Sequence, residues 1–114
     1  MNSDKFIVKD SGKREEYKSG MVRDTDDGKI NFSLVLDGPL IERLATHLTK
    51  ASKKYGKGNW LLADGTEELN RFKESAFRHF VQWFKNHDDE DHFSACVFNL
   101  NAYEYLKEKL NKKS

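Results

Sequence analysis

Apolar residues recur at helical spacing in three stretches of the chain and at a spacing of two in a fourth, which predicts a mainly helical protein with one extended segment. Leu40, Ile41, Leu44, Ala45, Leu48, Ser52 and Tyr55 keep to one side of a helix. Pro39 suits a first helical turn and Gly56 and Gly58 stop the chain, so the first helix is expected over about residues 39–55. Thr66-Glu67-Glu68-Leu69 opens the second, with Thr66 as its cap and the acidic pair at its positive end. Leu69, Phe72, Ala76, Phe80, Val81 and Phe84 form its apolar face, and Trp83 and Phe84 are expected to pack. The third helix is expected from near Asp91 to about Asn111. Phe93, Val97, Leu100 and Leu106 are its apolar content, and Lys107, Lys109, Lys112 and Lys113 complement the negative end. Upstream, Asp24 to Lys29 reads as a loop ending in a tight turn at Gly28. Ile30, Phe32, Leu34 and Leu36 then alternate, which predicts a short strand or an extended strap.

Three helices with short connections are expected to be antiparallel neighbours, and three helices seal a core poorly. The expected fold is therefore mainly α. It is a three- to four-helix bundle with a short N-terminal extended segment or hairpin, completed by dimerisation. Residues 1–20 are expected to be a flexible polar arm and residues 21–111 a single helical domain.

Composition narrows the function classes. The chain has 114 residues, 37% hydrophobic and 34% charged, so it can bury only a modest core. Twenty basic against 19 acidic residues leave a formal charge of +1, so no global field favours DNA or an anionic membrane, and no stable nucleic-acid complex is expected. The single cysteine, Cys96, excludes an intramolecular disulfide and points to a reducing, cytoplasmic setting. The segment Met1-Asn2-Ser3-Asp4-Lys5 lacks the apolar run of a signal peptide, and no stretch approaches a membrane span.

Four groups of residues carry candidate chemistry. Asp88, Asp89, Glu90 and Asp91 stand in a row before the third helix. Such a row either caps the helix or meets a hard cation, which takes one or two carboxylates, water and phosphate oxygens. On the second helix Glu74 and Arg78 are spaced to pair, and His79 lies near the apolar stripe as a buried structural histidine or a ligand. On the third, His92, Cys96 and Asn99 share a side flanked by Ala95 and Ala102, the pattern of close packing or of a lined pocket. No second Cys/His pair completes a tetrahedral zinc set. Finally, Lys53-Lys54-Tyr55-Gly56-Lys57-Gly58-Asn59-Trp60 combines charge, glycine and aromatics. It is either a helix C-terminus or a place where lysines meet phosphate and Trp60 stacks on a base. There is no P-loop, GxSxG or HExxH, so nucleophilic catalysis by a side chain has no support.

Read in order, Asp27-Gly28-Lys29, Ala51-Ser52-Lys53-Lys54-Tyr55-Gly56, Asn59-Trp60, Ser75-Ala76-Phe77-Arg78-His79, Asp88-Asp89-Glu90-Asp91-His92 and Asn99 resemble the N-terminal family of dATP/dGTP diphosphohydrolases of phages and bacteria. The resemblance spans roughly residues 21–106. It implies a fold related to the all-α nucleoside triphosphate pyrophosphatases of the MazG type, which assemble as dimers or higher homo-oligomers. It also implies Mg²⁺ or Mn²⁺ held by acidic helix residues, and hydrolysis of a purine deoxynucleoside triphosphate to monophosphate and pyrophosphate. Carried onto this chain, Glu74, Asp88 and Asp91 would hold the metal, and Glu74, His79 and Asp91 would be catalytic. Lys53, Lys54, Asn59, Trp60, Arg78, His92 and Asn99 would bind the nucleotide. The sequence departs from the MazG signature: its second helix offers only Glu74 where that signature has a Glu-Glu-x-x-Glu cluster, Asp88-x-x-Asp91 stands for Glu-x-x-Asp with a shorter first side chain, and His87 or Asn86 replaces the usual glycine before the acidic run. That thinner carboxylate set leaves an alternative of the same fold, a protein that binds or sequesters a nucleotide, or a phage-encoded interaction protein.

Overall fold

The computed structural model describes residues 6–113, so the expectations for Met1–Lys5 lie outside the described residues. The chain divides into two compact units that meet between residues 32 and 33.

The first unit is built on a two-stranded antiparallel hairpin, β1 (Arg14–Glu16) and β2 (Val22–Asp24), with Arg14 opposite Asp24 and Glu16 opposite Val22. The turn closes through Gly20 N–H to Tyr17 O at 2.8 Å and Tyr17 N–H to Met21 O at 2.9 Å. Asp24 anchors the unit by accepting from Ser11 and Arg14. The hairpin crosses position 20, where the sequence placed the end of a polar arm. The tight turn at Gly28 is present, with Lys29 N–H to Asp26 O at 3.0 Å.

The extended segment expected over residues 30–36 is not extended: Phe32–Leu36 is a 3-10 turn. A lone strand leaves its backbone groups unpaired, whereas i→i+3 bonds satisfy them locally, as Asp37 N–H to Leu34 O does at 3.3 Å. Phe32, Leu34 and Leu36 are all exposed, so the alternation marks no buried face.

In the second unit, α1 (Leu40–Tyr55), α2 (Thr66–Phe84) and α3 (His92–Lys113) make this a mainly helical protein. α1 ends at Gly56, whose φ of 91° admits a glycine and whose N–H reaches Ser52 O. Thr66 is the first residue of α2 and not its cap. Gly65 takes the cap position, and the Glu68 carboxylate accepts the Asp64 N–H at 2.9 Å. α3 is the central helix, since both α1 and α2 pack against it. Its fully buried positions include Ser94, Ala102 and Leu106, with Ala95 and Ala76 of α2 nearly so. Small side chains at these points let the helices approach closely. A 3-10 turn, Asn59–Leu62, joins α1 to α2 and is tied to α3 by the Lys109 ammonium, which donates to Leu61 O and Ala63 O.

The expectation that Trp83 and Phe84 pack holds in part: both rings touch Phe80, with centroids 5.8 and 6.4 Å away, but the two residues are 50% and 71% exposed. α2 turns one face to α3, and within the unit no further helix covers the other. Among the described residues, no helix is long and apolar enough to cross a membrane.

Candidate functional site

The turn between α2 and α3 sets the site. Asn86 sits in the left-handed region at φ 62°, and its neighbours close a Schellman motif through His87 N–H to Gln82 O and Asn86 N–H to Trp83 O, each at 3.0 Å. That ends α2 and leaves the row from Asp88 to Asp91 to lead into α3. Asp91 caps α3, accepting from Ser94 N–H at 3.0 Å and the Ser94 hydroxyl at 2.8 Å. The same carboxylate takes two bonds from the Arg43 guanidinium of α1, at 2.5 and 3.1 Å. Arg43, with help from Ser94, holds the Asp91 carboxyl far below the usual carboxylate range.

Behind this row two buried histidines meet. His79 Nδ1 of α2 lies 2.9 Å from His92 Nδ1 of α3, and His92 Nε2 lies 2.7 Å from Asp89 Oδ1. Burial, and next the Arg78 charge, lower the His79 pKa, while the bond from His92 lowers that of Asp89. An anionic Asp89 accepts, so His92 Nε2 carries the proton. Between the two facing Nδ1 atoms one ring donates and the other accepts, as the tautomers dictate. One ligand atom from each of His79, Glu90 and His92 lies within 4.8 Å of the other two.

These groups open on a cavity of about 610 Å³. Its floor is α3, through Ala95, Phe98 and Asn99, and its acidic end is Asp89, Glu90 and Asp91 with His79. The opposite wall is α1, which presents Arg43, His47, Lys50 and Lys54 at successive helical turns. Asn59 completes the rim. The Asn99 amide is pinned by its Nδ2 donating to Ala95 O at 2.8 Å, and the His47 ring rests 5.7 Å from that of Phe98. The result is a pocket of small-ligand size with cations along one wall and carboxylates and imidazole at one end.

The structure brings together part of the residue set expected from the sequence. His79, Asp91, Lys54, Asn59 and Asn99 line the cavity. His92 is 2% exposed and touches two lining residues, His79 and Asp89. Glu74, Asp88, Arg78 and Lys53 are exposed and do not line it. Glu74 is five residues before His79, over a third of a turn off the line that reaches the cavity. No ion pair joins Glu74 to Arg78 among the described residues. The Trp60 ring packs edge-on against Phe98 and Tyr105, with centroids 5.7 and 5.3 Å away, so it braces the 3-10 turn on α3. Arg43, His47 and Lys50 were not singled out in the sequence. Their spacing with Lys54, on the polar side of an otherwise clear amphipathic helix, is the signal that finds them.

Comparison with curated proteins gives no match, and neither does comparison with solved structures. A family model described as dATP/dGTP diphosphohydrolase, N-terminal, matches residues 19–113, which takes in every residue of the cavity. The chain therefore belongs to the dATP/dGTP diphosphohydrolase N-terminal family.

Proposed function

We propose that this protein hydrolyses a purine deoxynucleoside triphosphate, dATP or dGTP, to the monophosphate and pyrophosphate with the help of a divalent cation. One observation carries the reading: a single cavity lined by three cations of α1 and, at one end, by a cluster of carboxylates and a histidine. Family membership supports the substrate class.

The cation chemistry fits the donor set. Glu90 is an exposed carboxylate beside two nitrogens of buried histidines, and anionic and imidazole donors are what a divalent ion takes. Bound there, such an ion would offset charge that develops on the phosphate oxygens. The protein's own groups do the rest. Lys50 and Lys54 meet the triphosphate oxygens from α1 as point charges. Arg43 is engaged by Asp91, so it orders the acidic end more than it binds. Asp91 spends its acceptor sites on Arg43 and Ser94 and holds the acidic end in shape, while Asp89, kept ionised by its bond from His92, offers its other oxygen to orient an attacking water. The water oxygen forms a bond to the α-phosphorus and gives up a proton to solvent, the bond to the bridging oxygen breaks, and pyrophosphate leaves with that electron pair. The amides of Asn59 and Asn99 offer donors and acceptors to a base edge, and Phe98 offers a ring face.

The same reading includes a homodimer. Phe77, Phe80, Trp83 and Phe84 are exposed along α2, next to an apolar groove of about 210 Å³ that Phe80 and Trp83 share with Phe93, Cys96 and Val97 of α3.

The test is incubation of the folded protein with each deoxynucleoside triphosphate and Mg²⁺ or Mn²⁺, with products separated by chromatography. Monophosphate and pyrophosphate in equal amounts from dATP or dGTP are expected. Tight binding of a nucleotide without product would turn the reading to a sequestering protein, and neither binding nor product would overturn both.

A further inference from the structure

The geometry points to a binding site in which His79 Nδ1, His92 Nδ1 and the Glu90 carboxylate hold a first-row transition-metal dication in preference to Mg²⁺, with Asp89 as the outer partner that orients His92. This deepens the proposed hydrolysis by naming the class of its cation, but it stands on observations of its own. The two ring nitrogens face each other at 2.9 Å from different helices, and both rings are buried. An ion at about 2.1 Å from two imidazole nitrogens holds them about 3.0–3.4 Å apart, so the pair needs to part by only a few tenths of an ångström. The third donor is within reach, since a Glu90 oxygen lies no more than 4.8 Å from the nitrogens. Glu90 is exposed and makes no side-chain hydrogen bond or ion pair among the described residues, so its carboxylate can swing without breaking a hydrogen bond.

Asp89 supplies the argument that a plain histidine pair does not. A metal-bound histidine commonly gives its other ring N–H to a carboxylate, which fixes the tautomer and the ring orientation. His92 does this with Asp89 at 2.7 Å. The choice of ion follows from the donors. Imidazole suits Fe²⁺, Ni²⁺, Cu²⁺ or Zn²⁺, with Co²⁺ between Fe²⁺ and Ni²⁺ in affinity, whereas Mg²⁺ demands oxygen ligands in near-ideal octahedral geometry. With both Nδ1 lone pairs taken by the ion, each ring carries its proton on Nε2.

The experiment uses the full chain freed of metal with a chelator and titrated with Co²⁺ and Mg²⁺ by calorimetry, without nucleotide. Visible absorption of the Co²⁺ form and ¹⁵N spectra of the histidine rings with Zn²⁺ are read alongside. One Co²⁺ per chain is expected, with ligand-field bands, an affinity at least about tenfold above that for Mg²⁺, and both rings as Nε2–H tautomers. Glu90→Gln and Asp89→Ala alter exposed side chains, and circular dichroism checks that they fold. Each is expected to weaken Co²⁺ binding by about 10–100-fold. Equal affinity for the two ions, no Co²⁺ binding by the folded chain, or unchanged binding in both variants would overturn the site. Co²⁺ binding without any nucleotide hydrolysis would leave the site standing and remove the proposed activity. Hydrolysis supported by Mg²⁺ with no Co²⁺ bound would do the reverse.

Discussion

Asp91 accepts from Ser94 at the start of α3 and from Arg43 across the cavity, so one carboxylate both caps a helix and joins α1 to it. Asp91→Ala is expected to lower stability by about 1 kcal/mol through loss of the cap. The exposed ion pair adds little to that. Asp91→Asn keeps a capping oxygen and should retain most of the stability; thermal unfolding of both variants checks the pair of outcomes. The pH dependence has a definite sign. The Asp91 carboxyl is depressed in the folded protein, so its contribution is complete above the unfolded value of about 3.9 and fades as pH falls below it. Acid titration followed by circular dichroism should show this loss in the native protein and not in Asp91→Asn. Single residues also limited what was legible. His79 was recognisable as a residue with two readings, structural or ligating, because its own helix shows only that it borders an apolar stripe. Its contact with His92 comes from thirteen positions away.

The helices themselves were legible where local chemistry marks them. α1 starts after Pro39 and stops at Gly56, α2 starts at Thr66, and α3 follows Asp91, all within a residue or so of the spacing-based expectation. The 3-10 turn at Phe32–Leu36 was not, because alternation predicts a strand only if a second strand is there to pair. α3 is packed on two sides, and its small residues are the reason it can be. Ala102→Leu puts a bulky group at a position with 0% exposure and is expected to cost about 1–3 kcal/mol, measured by denaturant unfolding. On α1 the row Arg43, His47, Lys50, Lys54 belongs to the element, since no one of its members defines a site. Replacing Lys50 and Lys54 together with Ala should raise KM for the nucleotide at least about tenfold with a smaller change in kcat. Steady-state kinetics on the preferred deoxynucleoside triphosphate would decide it, and an unchanged KM would remove α1 from phosphate binding.

At the scale of the molecule, three helices cover one another unequally. α3 is packed on two sides, by α1 and α2, while α2 leaves Phe77 and Phe84 about 70% exposed. Contiguous exposed aromatics beside an apolar groove are characteristic of an interaction surface. The proposed dimer predicts that the native chain sediments as two copies and that Phe80→Glu with Trp83→Glu yields a folded monomer. Sedimentation equilibrium over a range of concentrations measures this, and a native chain that stays monomeric throughout would sink it.

Sequence alone determined the helical class, the positions of the three helices and the family, because each depends on local spacing, caps, stops and an ordered set of short motifs. Tertiary structure decided which charged residues share a cavity. Asp91 and Lys54 reach it, and Glu74 and Asp88 do not, since a site between helices depends on the rotation of each helix about its own axis. That rotation is set by packing of Ser94, Ala95, Ala102 and Leu106 against neighbours distant in sequence, which no pattern along a single helix contains.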